Sequence, residues 1–277
     1  DNPAVTGESN SVTAGTLIND LLKNNSWTNQ TVIYSVTPHA NGCDGPPETY
    51  SVVVFPTPDL SNSPLYDTVC NVTATSTTLT SNVNPGTSFT WTCTADPAIS
   101  GWADNPVPTT TLSFLLTNSG ILPANVVYHI QPQYTFNGLT CYGHTYNYTV
   151  TVNPTAHVTF NPTADTLCTG NSTLINISSD VAVSTFTWTA AGSGPVSGFT
   201  TPGSASLIND LLFNSGVVPG TVTYTVTPRA YNCDGQNADV QVLGNPGPIV
   251  TATPAATAFC SGGSTSIALS SNVSNLV

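Results

Sequence analysis

The sequence predicts an all-β protein built as a row of repeated β-sandwiches, on three observations. Residues 207–235 are nearly repeated at residues 17–45, and a looser copy with an insertion lies at residues 112–143. Within each copy, apolar residues alternate with threonine, serine or tyrosine, which is the period of a half-buried strand. Glycine, proline and asparagine separate the alternating runs, as they do in the turns of sheet proteins.

Equivalent residues recur at two fixed spacings, which define the repeats. Pro154 follows Pro56 by 98 positions (154 − 56), and Pro246 follows Pro154 by 92 (246 − 154). Two series of cysteines keep these spacings: an early series of Cys70, Cys168 and Cys260, and a late series of Cys43, Cys141 and Cys233. We predict the C-terminal part of a repeat at 1–57, complete repeats at 58–155 and 156–246, and the N-terminal part of another at 247–277.

The two partial repeats leave two interpretations open. They are the ends of a window cut from a longer repetitive chain, or they belong to subunits that complete one another by strand exchange.

Roughly seven strands in each repeat favour immunoglobulin-like topology. Tyr34, Tyr128 and Tyr224 each fall in the strand that we assign as F. The preceding apolar block, residues 17–22 and 207–212, fits a strand or a helical turn, and we assign it to strand E. This block and strand F are expected to form core, whereas residues 233–235 are expected to face outward at the joint with the preceding repeat.

Charge is scarce and almost entirely negative. Charged residues make up 6% of the chain, Lys and Arg together number 2, and the formal net charge is -12. Nucleic acid is excluded as a partner on this ground, because phosphate binding needs cations. No apolar run reaches the roughly 18–20 residues of a membrane span.

Seven cysteines without a metal-type spacing indicate an oxidising, extracellular compartment. The early and late series are expected at opposite ends of a sandwich, about 30 Å apart, whereas a disulfide needs Cα atoms within about 7 Å. We favour bonds between repeats, with Cys70 joined to Cys233, and partners in other repeats for Cys43, Cys141, Cys168 and Cys260. A bond within each repeat and free thiols remain alternatives, and Cys93 is expected to be a buried thiol beside Trp91.

No catalytic or metal-binding pattern is present in the sequence. Asp44 and Asp234 are candidate calcium ligands, but a turn aspartate that binds its own backbone is the favoured interpretation. The four histidines show no metal spacing and no shared register with serine or aspartate. We therefore expect no cofactor and no enzymatic activity.

The segments at residues 168–179, 185–189, 206–235 and 240–246 resemble the PKD-like repeats of very large cell-surface proteins of Bacteroidota, such as gliding-motility adhesins of the SprB type. This resemblance implies a β-sandwich fold, secretion by the type 9 system and a non-catalytic role in a surface filament or adhesin. The implied partners are neighbouring repeats or copies of the same protein, with surface polysaccharide as a further candidate. The middle repeat departs from the pattern at Tyr142, where the other copies have aspartate, and at its additional Cys93.

Two further expectations concern sugars. Thr68 and Thr166, each between an aspartate and an apolar residue, are similar to O-glycosylation acceptors of these bacteria, although the match also recurs simply because the repeat recurs. The competing function is a glycan-binding or spacer module of a secreted multidomain enzyme, for which Trp27 and Trp102 are the candidate sugar-binding residues.

Overall fold

The computed structural model describes residues 2–10, 15–254, 258 and 260–273. All regular structure in these residues is β-strand, so the predicted all-β fold class is confirmed. The chain divides into two compact units, residues 1–119 with 123–152 and residues 120–122 with 153–277.

The first partial repeat forms short antiparallel pairs. Its strands are β1 (Val5–Thr6), β2 (Lys23–Asn24), β3 (Gln30–Val36), β4 (His39–Ala40), β5 (Cys43–Asp44) and β6 (Glu48–Val54). The pairs are β1 with β2, β3 with β6 and β4 with β5. Leu17 and Leu21, expected in the core, are 81% and 89% exposed here, because these residues lie in no strand and pack under no second sheet of their repeat.

The next repeat is a two-layered sandwich within the first unit. Its strands are β7 (Tyr66–Cys70), β8 (Ala74–Thr78), β9 (Thr87–Ala95), β10 (Ile99–Ser100), β11 (Asn105–Thr109), β12 (Thr111–Leu115), β13 (Thr117–Asn118), β14 (Ala124–Phe136), β15 (Leu139–Tyr142) and β16 (Tyr146–Asn153). The main sheet has the order β11-β9-β14-β16-β7, with β15 beside β14. Strands β8 and β12 pair in the opposite layer.

The last complete repeat has the same plan within the second unit. Its strands are β17 (Val158–Asn161), β18 (Asp165–Cys168), β19 (Asn171–Ser172), β20 (Ile175–Ser179), β21 (Thr185–Gly192), β22 (Val196–Ser197), β23 (Leu207–Ile208), β24 (Leu211–Asn214), β25 (Gly220–Ala230), β26 (Cys233–Asp234) and β27 (Ala238–Asn245). One sheet has the order β18-β27-β25-β21, and the opposite layer is built from β17-β20-β23 and β19-β24-β22. Two strands follow, β28 (Val250–Thr253) and β29 (Ala268–Ser271), and they pair with each other.

The two-residue alternation of side chains along each strand determines which face of the strand is buried in the core. Val222, Tyr224 and Val226 of β25 are fully buried on one face, as the alternation predicts. The block before strand F is extended in both complete repeats, in β12 and β13 and again in β23 and β24. Its buried residues alternate: Ile208 is 0% exposed and Leu211 is 46% exposed. The assignment of this block to a strand is therefore correct in the two complete repeats, where only every second residue forms core, and wrong for residues 17–22, which lie in no strand.

Candidate functional site at the repeat joints

A buried carboxylate organises the core of the last complete repeat. Asp210, between β23 and β24, is 7% exposed and accepts a hydrogen bond from the Tyr224 hydroxyl at 2.8 Å. The amide and hydroxyl of Thr200 donate to the same carboxylate at 2.9 and 2.7 Å. Burial and the bond to Asp210 raise the pKa of Tyr224. A buried carboxylate that accepts hydrogen bonds from Tyr224 and from two groups of Thr200 stabilises the fold by tying these residues together.

The first partial repeat contains the same arrangement. The Tyr34 hydroxyl donates to Asp20 at 2.7 Å, and the amide and hydroxyl of Ser9 donate to Asp20 at 3.0 and 2.6 Å. The hydrogen bonds from Ser9 and Tyr34 lower the pKa of Asp20, and the bond to Asp20 raises the pKa of Tyr34 to about 12.

The middle repeat replaces this polar pair with an aromatic one. Phe114 occupies the position of Asp210, and its ring stacks on Tyr128 with the centroids 5.1 Å apart. The Tyr128 hydroxyl is buried without a hydrogen-bond partner, and burial raises the pKa of Tyr128. The sequence pattern predicts the whole block as apolar core and does not identify the role of this aspartate. The available signal is that two copies have aspartate where the third has Phe114.

A buried asparagine recurs in the same block and holds the end of the last strand of each repeat. The side-chain amides of Asn24, Asn118 and Asn214 each donate at 2.8 Å to the carbonyl of Val54, Val152 and Gly244, respectively. All three asparagines are buried. A buried amide that satisfies a backbone carbonyl in this way holds the end of the last strand in place.

The linker before each complete repeat packs on the hairpin between its strands F and G. The amides of Gly45, Gly143 and Gly235 donate to the carbonyls of Pro38, Pro132 and Pro228 at 2.8, 2.9 and 2.8 Å, respectively. A Cβ atom on Gly143 would lie 1.8 Å from the Pro58 carbonyl oxygen, and one on Gly235 would lie 2.2 Å from that of Ala156. The glycine of this motif is therefore required by the close approach of the linker backbone.

Side chains complete each joint. Phe55 packs edge-on against Tyr134 and Phe136, with centroid distances of 6.2 and 5.5 Å. In the second unit, the Asn153 side-chain amide donates to the Tyr231 carbonyl at 3.1 Å and lies 3.7 Å from the Cys233 sulfur. The Pro-bearing linkers are thus ordered by specific contacts with the hairpin that follows them.

The cysteines fall into two states. Cys70 and Cys233 are disulfide-bonded, whereas Cys43, Cys93, Cys141, Cys168 and Cys260 are free thiols. Cys233 is 6% exposed, so the expectation that residues 233–235 face outward is wrong for the cysteine, which is covered by Asn153.

A bond within the last complete repeat does not fit the sheet register. Cys168 lies opposite Asn245 at the end of β27, while Cys233 lies in the hairpin at the start of that strand. The length of β27 separates the two cysteines by roughly 25 Å at about 3.3 Å per residue, well beyond the reach of a disulfide.

Cys93 is a half-buried thiol packed against the core that includes Trp91. It donates to the Ala103 carbonyl at 3.3 Å. Burial, with a smaller contribution from Asp104, raises the pKa of Cys93 to about 12. A thiol whose pKa is this high is almost fully protonated at neutral pH and is therefore a poor nucleophile.

Asp44 and Asp234, the candidate calcium ligands, bind side chains across their hairpins and not their own backbone. Asp44 lies 2.6 Å from the ring of His39, and Asp234 accepts from Arg229 at 2.5 Å. No group of three or more His, Cys, Asp or Glu side chains suited to a metal ion occurs in the described residues.

The candidate sugar sites are accessible. Thr68 and Thr166 are exposed in β7 and β18, and their amides donate to Asp67 and Asp165, each at 2.7 Å. Trp27 and Trp102 are 58% and 39% exposed.

The fold and the recurring joints define tandem immunoglobulin-like β-sandwich repeats. A family model for the PKD-like domain matches residues 1–58, 67–156 and 165–248. The chain therefore belongs to the PKD-like domain family. Curated proteins gave no match. The described residues contain no helix of the length and apolarity needed to cross a membrane.

Solved structures of other sandwich arrays are distantly similar. PcdhgB3 EC1-4 shares 10% identity at a TM-score of 0.31, and the alignment covers 81% of this chain but 60% of that one. Human CDH23 EC21-23 shares 13% identity at a TM-score of 0.32, covering 79% of this chain and 81% of that one. The fibronectin(III)-like modules of Clostridium thermocellum CbhA share 8% identity at a TM-score of 0.28, covering 69% and 95%, respectively. Sequence identities this low give no information on the function of this chain.

The Tyr–Asp pair predicts opposite effects of one substitution in two repeats. Tyr224→Phe removes a hydrogen bond to a buried carboxylate and should lower the free energy of unfolding by about 1–3 kcal/mol. Tyr128→Phe removes a hydroxyl without a partner and should be neutral or slightly stabilising. Hydrogen exchange of peptic peptides from β25 and β14 measures both effects, and equal losses of protection would contradict the pairing.

The hairpin glycines supply a second prediction. Gly235→Ala drives a Cβ into the Ala156 carbonyl and should cost roughly 1–3 kcal/mol by overpacking, with faster exchange of the Gln236 amide that binds this carbonyl. Gly45→Ala is the matched control, because its Cβ meets only Pro38, with the ring Cγ nearest at 2.9 Å. Equal sensitivity of the two sites would show that the linker contact is unimportant.

Proposed function

We propose that this chain is a structural repeat segment of an extracellular bacterial surface filament or adhesin, of the gliding-motility adhesin type and exported by the type 9 system. PKD-like repeats are typically non-catalytic modules. The observation that carries the proposal is the recurring joint, in which a linker carbonyl fills the space beside a hairpin glycine in both complete repeats. We expect such joints to transmit tension from one repeat to the next along the chain.

The disulfide is the covalent part of this function. Cys70 and Cys233 are both oxidised, and we propose that they are bonded to each other as a staple between successive repeats. The sheet order supports this pairing, because β7, which ends at Cys70, neighbours β16. The last residue of β16 is Asn153, and its side chain lies 3.7 Å from Cys233. A disulfide is also typical of proteins outside the reducing cytosol.

Stretching single molecules tests the function and the staple together. Cys70 and Cys233 are 163 positions apart (233 − 70), which corresponds to roughly 540–590 Å of extended chain at about 3.3–3.6 Å per residue. Reduction should lengthen the fully extended chain by this amount, and each sandwich should resist force before it unfolds. A smaller gain would reject the pairing, and unfolding without measurable resistance would reject the structural role.

The second candidate function is a glycan-binding or spacer module of a secreted multidomain enzyme. The exposed rings of Trp27 and Trp102 favour it, because aromatic faces stack on sugars. Titration with bacterial surface polysaccharides tests the glycan-binding module: binding that Trp27→Ala or Trp102→Ala abolishes would support it, and binding that neither substitution changes would reject both tryptophans as sugar-binding residues.

O-glycosylation of Thr68 and Thr166 remains a prediction. Both threonines are exposed at equivalent positions, so a glycan can be attached without disturbing the core. The intact mass of protein from its native source is expected to exceed that of the polypeptide, and Thr68→Ala with Thr166→Ala should remove the excess. A native mass equal to that of the bare chain would exclude the modification.

A further inference from the structure

The middle repeat contains a pocket where the last complete repeat has a hydrogen-bond network. The volume of the pocket is about 420 Å³, within the roughly 300–1,000 Å³ that is usual for small-ligand sites. The network joins Thr200, Asp210 and Tyr224, and their counterparts all line the pocket: Ala103, Phe114 and Tyr128. Alanine and phenylalanine carry no polar side-chain group, so the network cannot form here and the pocket takes its place.

A longer connection in the middle repeat accounts for the space. Asn105 pairs with Trp91, and Gly203 pairs in the same way with Trp188. From this residue to the next buried position of the opposite layer, the chain runs seven positions in the middle repeat (112 − 105) and five in the last one (208 − 203). The Gly203 backbone covers Trp188 so closely that a Cβ atom would lie 2.2 Å from the indole ring. The longer connection instead adds to the walls of the pocket Val107 and Thr109.

Aromatic rings form the floor of the pocket. Trp91, Phe114 and Tyr128 are buried and line it. The Trp91 ring nitrogen donates to the Ala103 carbonyl at 3.1 Å, which holds the indole in place. The Tyr128 hydroxyl has no hydrogen-bond partner among the described residues. The floor therefore offers aromatic surface and an unused donor.

Polar side chains form the rim of the pocket, and contacts within the repeat hold them in position. The Asp104 carboxylate accepts from the Cys93 amide at 2.7 Å, and the Asn105 side-chain oxygen accepts from the Val107 amide at 3.1 Å. The remaining polar residues of the rim are Thr109, Thr111 and Ser113. A rim that is ordered in advance lowers the entropy cost of binding a ligand.

We propose that this pocket binds one neutral hexopyranose ring of a polysaccharide. A sugar ring has an apolar C–H face that packs on aromatic side chains and a perimeter of hydroxyls that bond to polar groups, which is the division between this floor and this rim. The sugar hydroxyls donate to Asp104 and Asn105, and a sugar oxygen accepts from Tyr128. The inference rests on the surface role proposed above and names the ligand of its adhesive part.

Charge favours neutral sugars over acidic ones. Asp104 lies at the rim, and the formal net charge of the chain is -12. The cationic side chains of the sequence are Lys23 and Arg229, and neither lines the pocket. A carboxylate or sulfate on the sugar would therefore be repelled.

The test titrates the full 277-residue chain, isotope-labelled for amide NMR, with the methyl glycosides of glucose, mannose and galactose, and with glucuronate. We expect saturable shifts of amides in residues 104–115 with at least one neutral glycoside, and weaker binding of glucuronate. The matching residues 201–211 are the internal control. They should not shift, because the Asp210 network and Gly203 fill the equivalent space.

Three variants locate the ligand. Asp104→Asn keeps an oxygen for the Cys93 amide but loses the charge, and should weaken binding roughly 10- to 100-fold. Tyr128→Phe should weaken binding roughly 2- to 10-fold without lowering stability, because the hydroxyl has no partner within the protein. Asp239→Asn removes the same charge from an exposed position of the last complete repeat and should leave binding unchanged.

The outcomes separate this site from the functions proposed above. If none of the neutral glycosides shifts residues 104–115, or if Asp104→Asn binds as tightly as the unchanged chain, the pocket is not a sugar site. Tighter binding of glucuronate than of the neutral glycosides overturns the ligand class. Binding that is lost only in Trp27→Ala or Trp102→Ala supports the glycan-binding module and rejects the pocket. A chain that resists stretching but binds no sugar keeps the structural role without this site.

Discussion

The repeats depend on the side-chain amide that holds the end of strand G. Asn24, Asn118 and Asn214 each reach the last part of this strand from the block before strand F, although the two segments are far apart in sequence. The linker begins where strand G ends, so this amide also holds the start of the linker. The hairpin glycine then lets the linker backbone approach closely.

The scarcity of charge explains why hydrogen bonds of this kind recur. The ion pairs of the described residues join exposed side chains, such as Arg229 with Asp234, and exposed pairs stabilise proteins by about 0–1 kcal/mol. Buried amides and the buried aspartate contribute more because water does not compete for them.

Local patterning predicted the strands, the core face of strand F and the repeat spacing, because these features follow from residues close in sequence. The Tyr224–Asp210 bond was not predicted, because an acidic residue within an apolar block is normally exposed. Asp210 is buried only through the packing of its strands in the tertiary structure, which the local sequence does not specify. The role of Gly235 was missed for the same reason: its neighbour Ala156 lies in the linker, far away along the chain. The burial of Cys233 likewise depends on Asn153, which no local pattern connects with it.

The aromatic core of the middle repeat affects how the chain avoids misassembly. Tandem domains of similar sequence are prone to exchange strands while they fold. If the block containing Phe114 entered the last repeat, Tyr224 and Thr200 would lose their carboxylate; if the block containing Asp210 entered the middle repeat, a charge would replace the ring stacked on Tyr128. Unlike cores in successive repeats therefore penalise swapped partners, and the unsatisfied hydroxyl of Tyr128 is a small cost of that discrimination.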